Sequence, residues 1–106
     1  MNLCVFTGNI ANTPELRGQN RTVLCFRLAV NGRQFNPDTQ QWEDHADFVD
    51  CAMFGKRAEA VSAWLKKGQQ VTIEAAARQN TWTDANGETR SKIEFHVSDL
   101  VAAPKK

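Results

Sequence analysis

Four aromatic side chains stand where apolar residues are out of place. Phe48 and Phe54 share a strand phase with Asp50, Trp82 shares one with Arg78 and Asn80, and Phe35 is in step with Arg27 and Arg33. A carboxylate does not enter an apolar core willingly, so the strand face that carries Asp50 is solvated and the rings beside it must be solvated too. Trp42 counts in phase with Phe48 and adds a fifth ring. Flat rings interleaved with guanidinium and ammonium groups suit a ligand that offers both π-faces and phosphates, because every nucleobase can stack on an aromatic ring and each phosphate can displace a counterion from Lys or Arg. Contact with a partner subunit is the rival use of Phe48 and Phe54, since exposed aromatics also mark protein interfaces.

Other reactive side chains carry less. His96 and Glu94 lie two apart on one strand face, and His45 sits between Asp44 and Asp47, which could in principle be assembled into an acid–base pair or a metal site. No nucleophile motif, phosphate loop or metal-ligand spacing accompanies them, so catalysis, a metal and a cofactor are not expected. Cys4, Cys25 and Cys51 all fall in strand-like runs, and an odd number without metal spacing reads as small, buried, reduced thiols. Net charge is only +1, so any affinity for an anion must come from the distribution of charge. Arg27, Arg33, Arg78, Arg90 and Lys92 fall on outward phases near the rings, while Lys56, Arg57, Lys66 and Lys67 lie at the two ends of a helix.

The elements that hold these residues follow from periodicity. Ala58, Val61 and Leu65 recur on one helical face, with Glu59 in the first turn, Lys66 and Lys67 in the last and Gly68 as the stop, which predicts a helix of about three turns. The two lysines either complement the helix dipole or meet phosphate. Trp64, beside the apolar stripe, reads as packing. Before the helix, 46–54 alternates with Val49, Cys51 and Met53 inward. After it, Val71, Ile73, Ala75 and Ala77 read inward, the Asp84-Ala85-Asn86-Gly87 run predicts a hairpin, and the returning strand puts Ile93, Phe95 and Val97 inside. In the first half, 1–10 is a strand apolar on both sides and 11–20 a loop. Thr22 to Val30 is a strand with Leu24, Phe26, Leu28 and Val30 inward, and 36–44 is a polar hairpin loop carrying Trp42. Phe6, Phe26 and Phe95 read as core.

Five strands with one α-helix between the third and fourth predict an all-β OB-fold, a five-stranded Greek-key barrel whose open end the helix plugs. Another small barrel or a sandwich is the rival, and the lone helix favours the OB arrangement. The 106 residues suffice for one domain, 1–102, followed by a short basic end, 103–106. No signal peptide or membrane-spanning run is present, which predicts a cytoplasmic protein.

The ordered motifs resemble the bacterial-type single-stranded DNA-binding proteins. They are MNLCVFTGNIANTPELR at the start, FRLAVN at 26–31, the DF-V-x-C to FGK stretch at 47–56, AExVxxxLKKG at 58–68 and WTDANGETR at 82–90. The match spans about residues 1–101. It implies sequence-nonspecific binding and protection of single-stranded DNA in replication, recombination and repair, by a non-catalytic homo-oligomer, usually a tetramer, associated with the nucleoid. The family's base-stacking positions carry over to Phe35, Phe48, Phe54 and Trp82, and Trp42 matches a tryptophan of only some branches. Its backbone-contacting positions carry over to Arg17, Lys56, Lys66, Lys67, Arg78 and Arg33. Departures are Ala75 and Ala77 in place of Gly and a larger aliphatic, and Asn80 and Thr81 where basic residues are common, which implies weaker phosphate affinity. The family's acidic tail, which recruits other proteins, has no counterpart before Ala-Pro-Lys-Lys, so tail-mediated partners are not expected of this chain. The alternative reading is an OB-fold adaptor that binds protein with the same rings, such as a primosome or recombination accessory factor.

Overall fold

A computed structural model describes residues 1–18 and 22–102; the basic end read at 103–106 lies outside the described residues. The order is β1 (Cys4–Ile10), β2 (Glu15–Arg17), β3 (Val23–Asn36), β4 (Gln41–Phe54), α1 (Lys56–Ser62), β5 (Gln70–Thr83) and β6 (Thr89–Ala102). Neighbours run β1-β5-β6-β4-β3-β2, and β1 also pairs with β3 through Asn9↔Ala29 and Ile10↔Leu28, so the five longer strands close on themselves. All pairings are antiparallel except β4–β6, which runs parallel at Cys51↔Phe95 and Ala52↔His96. This is the OB-fold barrel expected, with the short β2 added on β3 inside the stretch read as loop.

Alternation explains the core. Leu24, Phe26 and Leu28 of β3 face Cys51 and Met53 of β4, Val71, Ile73 and Ala75 of β5, and Val97 and Leu100 of β6, all buried. Phe6 and Phe95 close its margin edge to face, with centroids 5.1 Å apart. Ala58, Val61 and Leu65 are buried against the same cluster, as a plug requires. Closure between β1 and β3 depends on Gly8, because a Cβ there would lie 2.2 Å from the Ala29 carbonyl oxygen. Asn2 extends the β1–β5 ladder with its side chain: its amide donates to the Ala77 carbonyl (2.7 Å) and accepts from the Ala77 N–H (2.9 Å).

Several expectations are corrected. The helix ends at Ser62, a turn earlier than read, and its last turn holds no basic residue. Ser62 Oγ donates to the Glu59 carbonyl at 2.6 Å, and the N–H groups of Trp64 and Leu65 both reach the Val61 carbonyl, so the chain tightens and turns away. Lys66 and Lys67 therefore sit in the following turn, where Gly68 donates to the Ile10 carbonyl, and the helix-dipole reading no longer applies to them. Trp64 is exposed rather than packed. The 36–44 loop shrinks to a turn over residues 37–40, because Trp42 already belongs to β4 and pairs with Phe35. Ile93 is 58% exposed instead of inside: its part of β6 has passed the barrel rim, where nothing among the described residues covers the hairpin's inner face. The Asp84–Glu88 connection is a five-residue loop in which Gly87, but not Asn86, takes a positive φ of 79°. Of the three thiols only Cys51 is fully buried; Cys4 and Cys25 are half-buried.

Candidate nucleic-acid interface

Strand register assembles the aromatic residues on one outer face. In β3–β4 the outward pairs are Cys25/Ala52, Arg27/Asp50, Ala29/Phe48, Asn31/Ala46, Arg33/Asp44 and Phe35/Trp42, with Phe54 beyond them opposite Val23. In β5–β6 the outward pairs are Ala76/His96, Arg78/Glu94, Asn80/Lys92 and Trp82/Arg90. The parallel contact Ala52↔His96 joins the two hairpins, so the faces are continuous across β3, β4, β6 and β5.

All five predicted rings are exposed: Phe35 44%, Trp42 60%, Phe48 59%, Phe54 49% and Trp82 47%. Trp42, Phe48 and Phe54 recur every six residues of β4, an even interval that keeps them on one face, roughly 20 Å apart along the strand. Phe35 and Trp42 meet edge to face at 5.5 Å, and Phe54 meets the imidazole of His96 at 4.8 Å. Such edge contacts orient a ring while leaving a flat side open for a base.

The predicted cations divide. Arg33, whose guanidinium donates to the Trp42 carbonyl at 3.4 Å, and Arg78 lie on the aromatic face. Arg17 of β2 borders it, bonded at 3.0 Å to Glu15, a contact that raises the pKa of its guanidinium. Lys56 opens α1 directly after Phe54 and Gly55. Lys66 and Lys67 are at the β1–β5 junction, and no hydrogen bond or ion pair among the described residues ties them to the rings.

Sequence reasoning missed how the centre of the face is wired. Asp50 Oδ1 accepts from Arg27 Nε at 3.1 Å while Oδ2 meets Lys92 Nζ at 2.9 Å, linking three strands through one carboxylate. Burial would raise the Asp50 carboxyl, but the hydrogen bonds from Lys92 and Arg27 more than offset it and hold it below the usual carboxylate value. His96 Nε2 pairs with Glu94 at 3.0 Å close by. Arg27, Asp50, Lys92 and Glu94 line a concavity of about 400 Å³ with Arg17, Phe48 and Cys25, whose thiol burial pushes up. Arg27 and Lys92 were legible as outward residues; the β4–β6 register that brings them to one acid was not. At the far end, Asp84 organises the β5–β6 loop, accepting from the N–H groups of Asn86 (2.9 Å) and Glu88 (3.0 Å) and from Arg90 Nε (2.9 Å).

A closed five-stranded barrel with a helix plug and an aromatic outer face defines an OB-fold of the oligonucleotide-binding kind. The model of the single-strand binding protein family matches residues 1–102, and the chain belongs to that family. Among curated relatives it is 35% identical over 103 residues to the single-stranded DNA-binding protein of Borreliella burgdorferi, covering 94% of this chain and 68% of that one. It is 36% identical over 103 residues to the Clostridium perfringens protein of the same name, covering 94% and 64%. A third relative, from Treponema pallidum, is 31% identical over 102 residues, covering 94% and 56%, so the chain spans between about half and two thirds of these relatives' lengths. Among solved structures, the Plasmodium falciparum SSB complex with ssDNA shares the fold at a TM-score of 0.85 and 19% identity, covering 98% of this chain and 96% of that one. A small single-stranded DNA-binding protein of Streptomyces coelicolor does so at 0.71 and 24%, covering 95% and 93%.

Proposed function

We propose that this chain binds and protects single-stranded DNA without sequence preference, in replication, recombination and repair. The observation that carries the reading is the continuous outer face on which Phe35, Trp42, Phe48, Phe54 and Trp82 alternate with arginine and lysine. Stacking on the rings is indifferent to base identity, and only an unpaired strand offers its base faces, so duplex DNA is excluded. Arg17, Arg33, Lys56 and Arg78 neutralise phosphates along the path, with Lys66 and Lys67 serving a strand that wraps beyond the face. The work is binding, not catalysis, and it is done in the cytoplasm at the nucleoid.

The chain acts as a homo-oligomer, a tetramer built from paired copies. Supporting this, the edge of β1 opposite β5 has no partner strand at Cys4–Thr7 among the described residues, and Leu3 and Val5 are exposed beside it. An open edge flanked by apolar side chains is a template for strand addition. The test is a titration with oligo-dT followed by tryptophan fluorescence, at low and high salt, with duplex of equal length as control and light scattering to count subunits. Quenching by the single strand alone, with fewer than one strand per chain, is expected. Absence of binding would hand the face to a protein partner.

A further inference from the structure

The centre of the face is already occupied by an anion of the protein's own. Asp50 places one carboxylate oxygen on Arg27 and the other on Lys92, and both cations remain about half exposed at the mouth of the concavity. A phosphodiester presents the same two oxygens to the same kind of donors. The position is flanked by Phe48 on β4, two residues before Asp50, and by Trp82 and Arg90 two residues beyond the Asn80/Lys92 pair, so a strand stacked on both rings passes over it.

Resting on the single-strand reading above, we propose that Arg27 and Lys92 form a further phosphate site and that Asp50 is its resident competitor, which an incoming phosphodiester must displace or share. Every other charged group at the concavity is accounted for: Glu15 is taken by Arg17, and Glu94 by His96. Arg27 and Lys92 are thus the cations whose partner is exchanged, and Asp50 weakens the face for any polyanion while holding the two side chains in place before it arrives. An acid at the centre of a stacking surface, bridging two cations from different strands, has this effect whatever the sequence of the ligand.

The experiment is a salt series of oligo-dT affinity for wild type, Asp50→Asn, Arg27→Gln/Lys92→Gln and the triple variant, with Asp47→Asn as control. Asn keeps the shape of Asp50, and Asp47 lies on the opposite face of the same strand, bonded to His45, so it reports generic loss of negative charge. Asp50→Asn is expected to bind several-fold more tightly at low salt, with a log K against log salt slope steeper by about 0.7, the contribution of one single-strand phosphate contact. That gain disappears in the background lacking Arg27 and Lys92, and Asp47→Asn leaves the slope unchanged. An unchanged or shallower slope in a folded Asp50→Asn protein, or an equal gain in Asp47→Asn, overturns the proposal. Wild type that does not bind oligo-dT at all would instead overturn the reading on which it rests.

Discussion

Asp84 holds the Nε of Arg90 at 2.9 Å across the β5–β6 loop, and Arg90 stands directly opposite Trp82. One carboxylate at the loop therefore fixes the strand position from which the indole projects. The Arg90 hydrogen bond, aided by the backbone N–H groups of Glu88 and Asn86, holds the Asp84 carboxyl below its ordinary value. A depressed carboxylate contributes stability above its unfolded pKa and loses it as pH falls through the folded one. Loop order should thus persist at neutral pH and fail under acid, with the amide resonances of Asn86 and Glu88 moving together at a midpoint below the usual carboxylate value. Asp84→Asn should abolish that transition; amides that titrate unchanged in the variant would assign it elsewhere.

Trp82→Ala should weaken oligo-dT binding by about 1 to 3 kcal/mol. Because the indole is 47% exposed and outside the core cluster, the melting temperature should barely move. Calorimetric titration with a parallel melt separates the outcomes: normal affinity removes Trp82 from the interface, and an unfolded variant makes it structural.

Gly8→Ala should strike the barrel seam. The added methyl would lie 2.2 Å from a backbone oxygen of Ala29, which no rotamer can relieve. A loss of at least about 1 to 3 kcal/mol is expected from this overpacking, read from denaturant unfolding. An unchanged midpoint would mean that β1 and β3 separate easily and that closure there contributes little.

The three thiols should differ in reactivity. Burial pushes Cys51 up to about 12, so almost no thiolate is present at neutral pH, and the side chain is also inaccessible. Alkylation of native protein followed by peptide mass mapping should label Cys4 before Cys51, with Cys51 modified only after unfolding. Equal labelling would show that β4 opens locally on the timescale of the reaction.

The strand faces were legible in the sequence because alternation is a local property. The outward set Phe48, Asp50 and Phe54 and the inward set Leu24, Phe26 and Leu28 could be counted off without knowing any neighbour. The helix face was legible too, but not its length, since Leu65 continues the stripe after the chain has left the helix at Ser62. Ile93 misled for a related reason: alternation says which side a residue takes, not whether anything covers that side. The Arg27–Asp50–Lys92 bridge and the Phe54–His96 contact depend on the β4–β6 register, a pairing between distant segments that no local pattern encodes.

The six-residue interval that carries Trp42, Phe48 and Phe54 makes β4 a ruler graduated in twos. Adding or removing a single residue between two of its rings would invert everything beyond, turning a ring inward and driving Cys51 or Met53 out into water. Lengths on this face can therefore drift only in even steps, and a point insertion is far more damaging than a point substitution. β6 uses the odd step once: Ser98 is the extra residue between the Glu74↔Asp99 and Ala75↔Val97 pairs, its hydroxyl tied to the Glu74 carbonyl, and there the inward phase jumps from Val97 to Leu100. The same chain thus forbids a frame change along its rail and permits one where the strand leaves it for the floor of the barrel.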